Sequence, residues 1–242
     1  MLISPPAPPT DALGRPERDP APRRSRQLQR IRDGVFFTAP PELPHGPHGL
    51  AREQVVRAQR ERAMIAVTEL LAVMPLREIG IREIAREAHL STSAFYRCFT
   101  DKDDCLFAAY ERFVSVLGQR FLATVTFAEE WPEQIGLVVD AFFDTLAADI
   151  VTARAYLVEM ECAGGEARAR RRHAVDTMAQ AMKERRDARW PGSEAVPLVA
   201  YESAAIAVRY HAARALEAGA DEAGLRALSG DLGPWLTRLL TL

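Results

Sequence analysis

The sequence predicts an all-α fold, and three observations along its 242 residues support this prediction. Ahead of Pro75, apolar residues recur at positions i, i+3, i+4, i+7, i+8 and i+11 of one helix: Ala63, Ala66, Val67, Leu70, Leu71 and Met74. Two short amphipathic segments joined by a tight turn follow within residues 76–102. From Asp103 onward, apolar residues return at intervals of three and four, which predicts helix almost throughout.

Composition and motifs argue against several classes of protein. Apolar residues make up 48% of the chain and charged residues 26%, which are values typical of a globular protein. Cys98, Cys105 and Cys162 have neither metal-ligand spacing nor the density of a disulfide framework, and no apolar run reaches transmembrane length. We therefore expect a soluble, cytoplasmic protein without a membrane partner.

Catalysis has no recognisable constellation in this sequence. Glycine-rich phosphate loops and the HExxH zinc motif are missing, and the five histidines are scattered. Glu159 and Glu161 could suggest paired carboxylates, but residues two apart on a helix point about 200° apart and cannot share a substrate. The sequence thus predicts no enzyme, no cofactor and no metal site.

The formal net charge of −2 hides an uneven distribution. Residues 1–102 carry a net charge of +4, whereas residues 103–242 carry −6. An anionic polymer would therefore be attracted to one end of the molecule only.

The pattern within residues 76–102 predicts a helix-turn-helix. Ile81, Ile84, Ala85 and Ala88 form one apolar stripe on the first short helix. After the turn His89-Leu90-Ser91, the Ser91 hydroxyl is placed to cap a second helix, Thr92–Phe99, whose inward residues are Phe95 and Phe99. Two short helices joined this way are the outline of a DNA-reading motif. The alternative is a pair of packed surface helices in some other helical protein.

The outward residues of the second helix favour the DNA interpretation. Thr92 and Ser93 are small and polar, so the backbone could approach base edges in a major groove, and Arg82 could reach bases from the preceding helix. Phosphate contact is expected of residues at the far end of the motif. The predicted DNA-binding residues are Arg82, Ser91, Thr92, Ser93, Tyr96, Arg97 and Lys102.

These residues resemble the DNA-binding domain of the TetR family of bacterial transcriptional regulators. The matching runs are Ile84-Ala85, Ala88-His89-Leu90-Ser91, Phe95-Tyr96-Arg97-Cys98-Phe99 and Lys102. Three positions depart from the family pattern: Gly80 stands where a Thr N-cap is usual, His89 stands where Gly is usual, and Cys98 stands where His is usual. The departures leave the helical pattern intact but bear on DNA affinity and operator choice.

The chain divides into three predicted regions. Residues 1–47 hold 11 of the 16 prolines and seven arginines, so a disordered N-terminal arm is expected. Its arginines could bind phosphates or an adjacent minor groove, or the arm could be an inert tail: Arg23, Arg24, Arg26, Arg30 and Arg32. Residues 48–102 form the predicted DNA-binding domain, and residues 103–242 form a helical effector-binding and dimerisation domain.

Within the last region, Pro132 is predicted to open a helix and Gly233-Pro234 to break or kink the last one. The resemblance implies a small-molecule effector held among these helices, and the candidate pocket residues are Phe142, Phe143, Tyr156, Met160, Arg209 and His211. For any one of them, an ordinary core position is the more frequent alternative, because aromatic and Met residues also fill cores. The last two helices are predicted to join a homodimer through Ala205, Val208, Ala212, Trp235, Leu236 and Leu239.

The resemblance implies sequence-specific binding to a palindromic double-stranded DNA operator, with repression released by the effector. Two alternatives remain open at this stage. The same fold could activate transcription or act without a ligand. The chain could also be a helical interaction protein whose DNA-binding helix has degenerated, as the departures at Gly80, His89 and Cys98 suggest.

Overall fold

The computed structural model describes residues 28–41, 51–124, 130–192 and 194–241, and over these residues the chain is helical without a β-strand. The α-helices are α1 Arg52–Leu71, α2 Ile81–Glu87, α3 Thr92–Tyr96, α4 Lys102–Thr124, α5 Trp131–Ala148, α6 Ile150–Leu157, α7 Gly165–Arg189, α8 Leu198–Glu217 and α9 Glu222–Leu240. Two 3-10 helices, Leu76–Glu78 and Glu159–Cys162, lie between them. None of the described helices is both long and apolar enough to cross a bilayer.

The predicted stripe on α1 is its buried face. Ala63, Val67 and Leu71 are completely buried against α2, α3, α4 and α6. The last turn continues to Met74, whose N–H donates to the Leu70 carbonyl at 3.0 Å, and Pro75 then ends the helix because it cannot continue the hydrogen-bond ladder.

The helix-turn-helix forms where the sequence predicts it. Ser91 caps α3 by accepting a hydrogen bond from the Ala94 N–H at 3.1 Å, and Phe95 and Phe99 are buried beneath. The helix is shorter than the predicted Thr92–Phe99, since the regular part ends at Tyr96 and a final turn carries the chain to Phe99. His89 adopts the left-handed backbone conformation, with φ of 54°, that the turn requires.

Gly80 is the N-cap residue of α2, and the first turn of the helix supplies the cap that its missing side chain cannot provide. Its N–H donates to the Glu83 carboxylate at 3.1 Å, which caps α2 from its own first turn. A Cβ built at Gly80 would lie 2.6 Å from the same carboxylate oxygen. That oxygen is the end of a flexible side chain that can shift, and a threonine N-cap is compatible with the same glutamate cap, so the Glu83 cap does not itself require glycine.

Residues 28–41 depart from the disordered arm predicted for residues 1–47. Phe36 and Phe37 are almost fully buried, and the Phe36 ring lies 5.0 Å from that of Phe113 on α4. These two phenylalanines bury enough apolar surface to hold the segment against the helices. The prediction of disorder considered the many prolines and arginines of the region and gave these two residues no weight. Arg23, Arg24 and Arg26, residues 42–47 at the end of the predicted arm, and residues 48–50 at the start of the predicted DNA-binding domain lie outside the described residues.

The C-terminal helices form the body of the protein. α9 packs along α5, α8 packs against both α7 and α9, and α4 connects this body to the helix-turn-helix. Trp131 at the start of α5 donates its indole N–H to the Leu240 carbonyl at 2.9 Å. This hydrogen bond joins the start of α5 to the end of α9. Of the predicted break or kink at Gly233-Pro234, the break does not occur, because α9 runs through Pro234 while Leu232, Leu236 and Leu240 stay buried on either side of it.

Candidate DNA-reading surface and effector cavity

The outer face of α2 and α3 is the candidate DNA-reading surface. Arg82, Thr92, Ser93, Tyr96 and Arg97 are all exposed there, and the Tyr96 side chain is 55% exposed although it packs edge-on against the buried Phe95 ring. Because this packing already orders the Tyr96 ring, its hydroxyl can donate a hydrogen bond to a phosphate without a further loss of side-chain freedom.

Two further predicted DNA-binding residues are already engaged within the protein. The Ser91 hydroxyl accepts the Ala94 N–H and lies 3.0 Å from the Ser93 hydroxyl, so its main role is to cap α3. The Lys102 ammonium donates to the Leu76 and Ile79 carbonyls, both at 3.1 Å. The structure thus places Lys102 inward against the segment that enters α2, whereas the sequence suggested a position facing the sugar-phosphate backbone.

Arg60 on α1 contacts the C-terminal end of the helix-turn-helix, a contact that the sequence did not predict. Its guanidinium donates to the Cys98 carbonyl at 2.7 Å and lies 4.2 Å from the centre of the Phe99 ring. The end of a helix leaves carbonyls without partners, and a cation there compensates both the hydrogen bond and the helix dipole. Helical spacing gives no signal for this contact, because Arg60 and Cys98 are 38 residues apart.

A cavity of about 150 Å³ lies within the helical body. Its walls are almost entirely aliphatic and aromatic, and they come from α4, α5, α7, α8 and α9 together with Leu157 of α6. Representative lining residues are Phe113, Leu117, Val139, Phe142, Met178 and Leu236. Such a lining suits a hydrocarbon group and offers few hydrogen bonds to orient a polar one.

One end of the cavity is polar. Tyr110, Arg171 and Arg209 line it, and both guanidinium groups pair with the Glu161 carboxylate. Burial lowers the pKa of Arg209, and burial followed by the nearby Arg209 charge lowers the pKa of Arg171. Burial also raises the pKa of the Tyr110 phenol, although the two arginines oppose that shift. The polar end therefore presents positive charge that is only partly solvated.

The structure divides the predicted pocket residues. Phe142 and Arg209 line the cavity, whereas Phe143 and Met160 are buried in the core outside it and His211 packs against the Tyr210 ring. Tyr156 is also a core residue. Its hydroxyl lies 2.7 Å from the Thr68 Oγ1, and because the Thr68 proton goes to the Met64 carbonyl, Tyr156 is the donor. Periodicity places these residues on inner faces but does not distinguish packed core from a cavity wall.

The predicted dimer residues divide in the same way. Ala212 and Leu236 are buried inside the protomer, which contradicts their assignment to a subunit interface, and Leu236 lines the cavity. Ala205 and Val208 also line the cavity and are partly exposed. Trp235 is 41% exposed and Leu239 is partly buried.

Exposed apolar residues on α8 were overlooked: Val199 is 61% exposed, Ile206 56% and Tyr210 54%. They are separated by seven and four residues, so they share one face of the helix.

The comparisons agree with this architecture. Residues 66–109 match the family model for bacterial regulatory proteins of the tetR family. None of the curated proteins compared with the chain matches it.

Solved structures with the same fold include the fatty acid degradation regulator FadR from Bacillus halodurans, with a TM-score of 0.64 at 15% identity over 74% of this chain and 94% of that one. FadR from Bacillus subtilis, solved with stearoyl-CoA, has a TM-score of 0.63 at 17% identity over 73% and 96%. A TetR-like transcriptional regulator from Rhodococcus sp. RHA1 has a TM-score of 0.51 at 16% identity over 76% and 96%. Residues 66–109 therefore match the DNA-binding domain of bacterial regulatory proteins of the tetR family, and the helical fold of the chain is similar to that of solved TetR-like regulators.

Proposed function

We propose that this regulator is a repressor that binds a palindromic operator as a homodimer and leaves it when a small effector occupies the cavity of the helical body. The observation that carries the proposal is an apolar cavity with two arginines at one end, built from the helices that support the helix-turn-helix. The effector that suits it has a hydrocarbon chain and an anionic head. The stearoyl-CoA bound by Bacillus subtilis FadR, a protein of the same fold, is a compound of that class.

On the DNA side, Thr92, Ser93 and Arg82 are assigned to base edges, and Tyr96 and Arg97 are assigned to phosphates. Exposure of all five supports the assignment. Removing a base contact should change the preferred sequence at a cost of about 1 to 3 kcal/mol, whereas removing a phosphate contact should weaken binding to all duplexes alike. Ser93→Ala and Tyr96→Phe are a matched pair, because each removes one hydroxyl. If both variants lost the same binding free energy on every duplex, the division into base contacts and phosphate contacts would be contradicted.

Footprinting of the purified protein on the DNA upstream of its own gene would identify the operator. A salt series then tests specific binding, since the logarithm of affinity should fall linearly with the logarithm of salt concentration. A protein with a degenerate DNA-binding helix would show no protected site. An activator would show the site but would raise transcription from it in a reconstituted assay.

On the effector side, each added methylene buried in the cavity should contribute about 0.8 kcal/mol. Affinity for a series of fatty acids below their aggregation concentration should therefore rise roughly tenfold for every two carbons until the cavity is filled. Leu117→Trp, which places an indole in the cavity, should abolish this gain. Leu122→Trp is a matched control because Leu122 is 44% exposed on the same helix.

Operator affinity should fall as the fatty acid is added, because a ligand that binds the DNA-free conformation more tightly shifts the population toward it. A chain-length series with no binding would reject the effector assignment and favour a regulator without a ligand. Binding that leaves operator affinity unchanged would reject release.

A further inference from the structure

Glu161 pairs with the two arginines, Arg171 and Arg209, that line the polar end of the cavity and to which an effector's anionic head would bind. Its two carboxylate oxygens pair separately with Arg171 on α7 and Arg209 on α8, and both arginines line the polar end. The pairing is long-range for Arg209, which is 48 residues from Glu161 and also donates to the Leu157 carbonyl at 3.5 Å. The three side chains hold the 3-10 helix Glu159–Cys162 against α7 and α8.

We propose that Glu161 is an internal competitor for the effector: its carboxylate neutralises Arg171 and Arg209 in the free protein, and the anionic head of the effector displaces it. This inference rests on the proposed function, since it identifies how the same cavity senses its ligand. The ligand chemistry is a carboxylate, phosphate or coenzyme A thioester on a hydrocarbon chain.

Solvent exposure decides which partner leaves when an anion arrives. The Glu161 side chain is 36% exposed, whereas Arg171 is 26% exposed and Arg209 is 20% exposed. A carboxylate at the edge can become hydrated when displaced, but a buried guanidinium must keep an anionic partner. The lowered pKa values of both arginines have the same cause, because burial makes an unpaired charge unfavourable there.

Displacement of Glu161 would reach the DNA-binding end through one direct contact. The 3-10 helix Glu159–Cys162 packs against the 3-10 helix Leu76–Glu78, which leads into α2. The Lys102 ammonium at the start of α4 donates hydrogen bonds to the carbonyls of Leu76 and Ile79. Movement of the segment 76–79 would therefore be transmitted to α2, which it precedes, and to the start of α4, which follows α3. Gly164 follows with φ of 93°, a conformation that lets the chain turn sharply between the 3-10 helix and α7.

The first test compares Glu161→Gln with wild type in binding dodecanoate, dodecanoyl-CoA and the uncharged dodecanol. The glutamine keeps the shape but cannot neutralise two guanidinium groups, so the variant should bind the anionic ligands about tenfold more tightly. Dodecanol affinity should be unchanged within about twofold, because it does not compete for the arginines. A gain restricted to dodecanoyl-CoA would support the proposal and identify the coenzyme A phosphates as the competing head. Glu166→Gln serves as the control, since Glu166 pairs with Arg170 away from the cavity lining.

Failure of the inference and failure of the proposed function give different results. If wild-type protein binds dodecanoate but Glu161→Gln binds it equally or less tightly, the competitor role is overturned while the effector cavity stands. If neither protein binds any of the three probes, the proposed effector function itself fails.

A second test uses wild-type protein and needs no variant to fold. Saturating dodecanoate should speed amide hydrogen exchange in residues 159–162 and 76–80 by about tenfold, which would report the release of the two 3-10 helices. Exchange that is unchanged or slower at these residues would overturn the proposed route from Glu161 to the reading motif.

Discussion

Two cations near the helix-turn-helix are used inside the protein. Arg60 donates to the Cys98 carbonyl and stacks on Phe99, and Lys102 donates to the carbonyls of Leu76 and Ile79. Both hold backbone carbonyls at the edges of the reading motif, where short helices leave such groups without partners. A basic residue beside a DNA-binding helix is therefore not by itself evidence of a phosphate contact.

Lys102→Met tests this interpretation. Loss of the ammonium removes its hydrogen bonds to two partly buried carbonyls, of which that of Leu76 keeps a bond from the Ile79 N–H, so the free energy of unfolding should fall by about 1 to 3 kcal/mol in urea denaturation. The salt dependence of operator binding should stay the same. Arg97→Met is the comparison, since Arg97 is exposed and its loss should reduce the salt slope by about one unit with little effect on stability. A reduced slope for Lys102→Met would restore the phosphate assignment.

Glu69 is a buried carboxyl that should make stability depend on pH. Burial raises its pKa above the ordinary value, although hydrogen bonds from the Ile31 N–H at 3.0 Å and from Arg30 oppose the shift. The folded protein therefore binds this proton more tightly than the unfolded chain. The resulting stabilisation is fully present below the ordinary carboxyl pKa of about 4.3 and is lost as pH rises through the raised pKa.

We expect Glu69→Gln to remove this dependence. Between about pH 7 and pH 4.5, the free energy of unfolding of wild type should rise relative to that of the variant as pH falls. Glu53 is exposed on the same helix, so Glu53→Gln provides the control substitution. Denaturation measured across this range would contradict the prediction if wild type instead lost stability relative to Glu69→Gln on acidification.

At the scale of elements, the segment 28–41 joins parts of the protein that are distant in sequence. Arg30 pairs with Glu69 on α1 and Glu87 on α2, and Arg32 lies 4.0 Å from Glu222 on α9. The ring of Phe36 contacts Phe113, which lines the cavity. Two of the five arginines predicted to contact DNA are thus paired with carboxylates.

Truncation separates the two parts of the N-terminal region. Removing residues 1–27 tests the first part: if Arg23, Arg24 and Arg26 contact phosphates, the salt slope of operator binding should fall by about one unit per lost contact. Phe37→Ala in the full-length chain should instead lower the free energy of unfolding by about 3 to 5 kcal/mol, because Phe37 is buried in the core. A Phe37→Ala protein as stable as wild type would show that the segment is not required for folding.

At the scale of the whole molecule, the proposed homodimer must use residues that the protomer leaves exposed. The apolar face of α8 formed by Val199, Ile206 and Tyr210, together with Trp235 on α9, meets this requirement. Two recognition helices related by a two-fold axis would then read half-sites about 34 Å apart or a multiple of it.

Ile206→Arg should yield a monomer with poor operator affinity, as judged by light scattering at micromolar concentration and by footprinting. A charge at the centre of an apolar interface leaves an unpaired, desolvated group in the dimer but stays hydrated in the monomer. Leu122→Arg is the control, because Leu122 is also exposed but lies on α4. A dimeric Ile206→Arg protein would exclude this face, and a monomeric wild type would exclude the dimer.

The sequence by itself determined the helical class, the helix-turn-helix and the starts of α3 and α5. Periodicity, the Ser91 cap and Pro75 act over one or two helical turns, so local physics is sufficient for them. The same local reasoning placed the buried faces of α1, α2 and α3 correctly.

Only the tertiary structure decided what each inner face contacts. Phe142 lines a cavity while Phe143 beside it is packed core, and Leu236 is buried while Trp235 beside it is exposed. Lys102, Glu161 and Phe37 likewise acquire their roles from partners distant in sequence. Helical spacing specifies the direction of a side chain along its own helix, but the contacts in that direction depend on how the other helices pack.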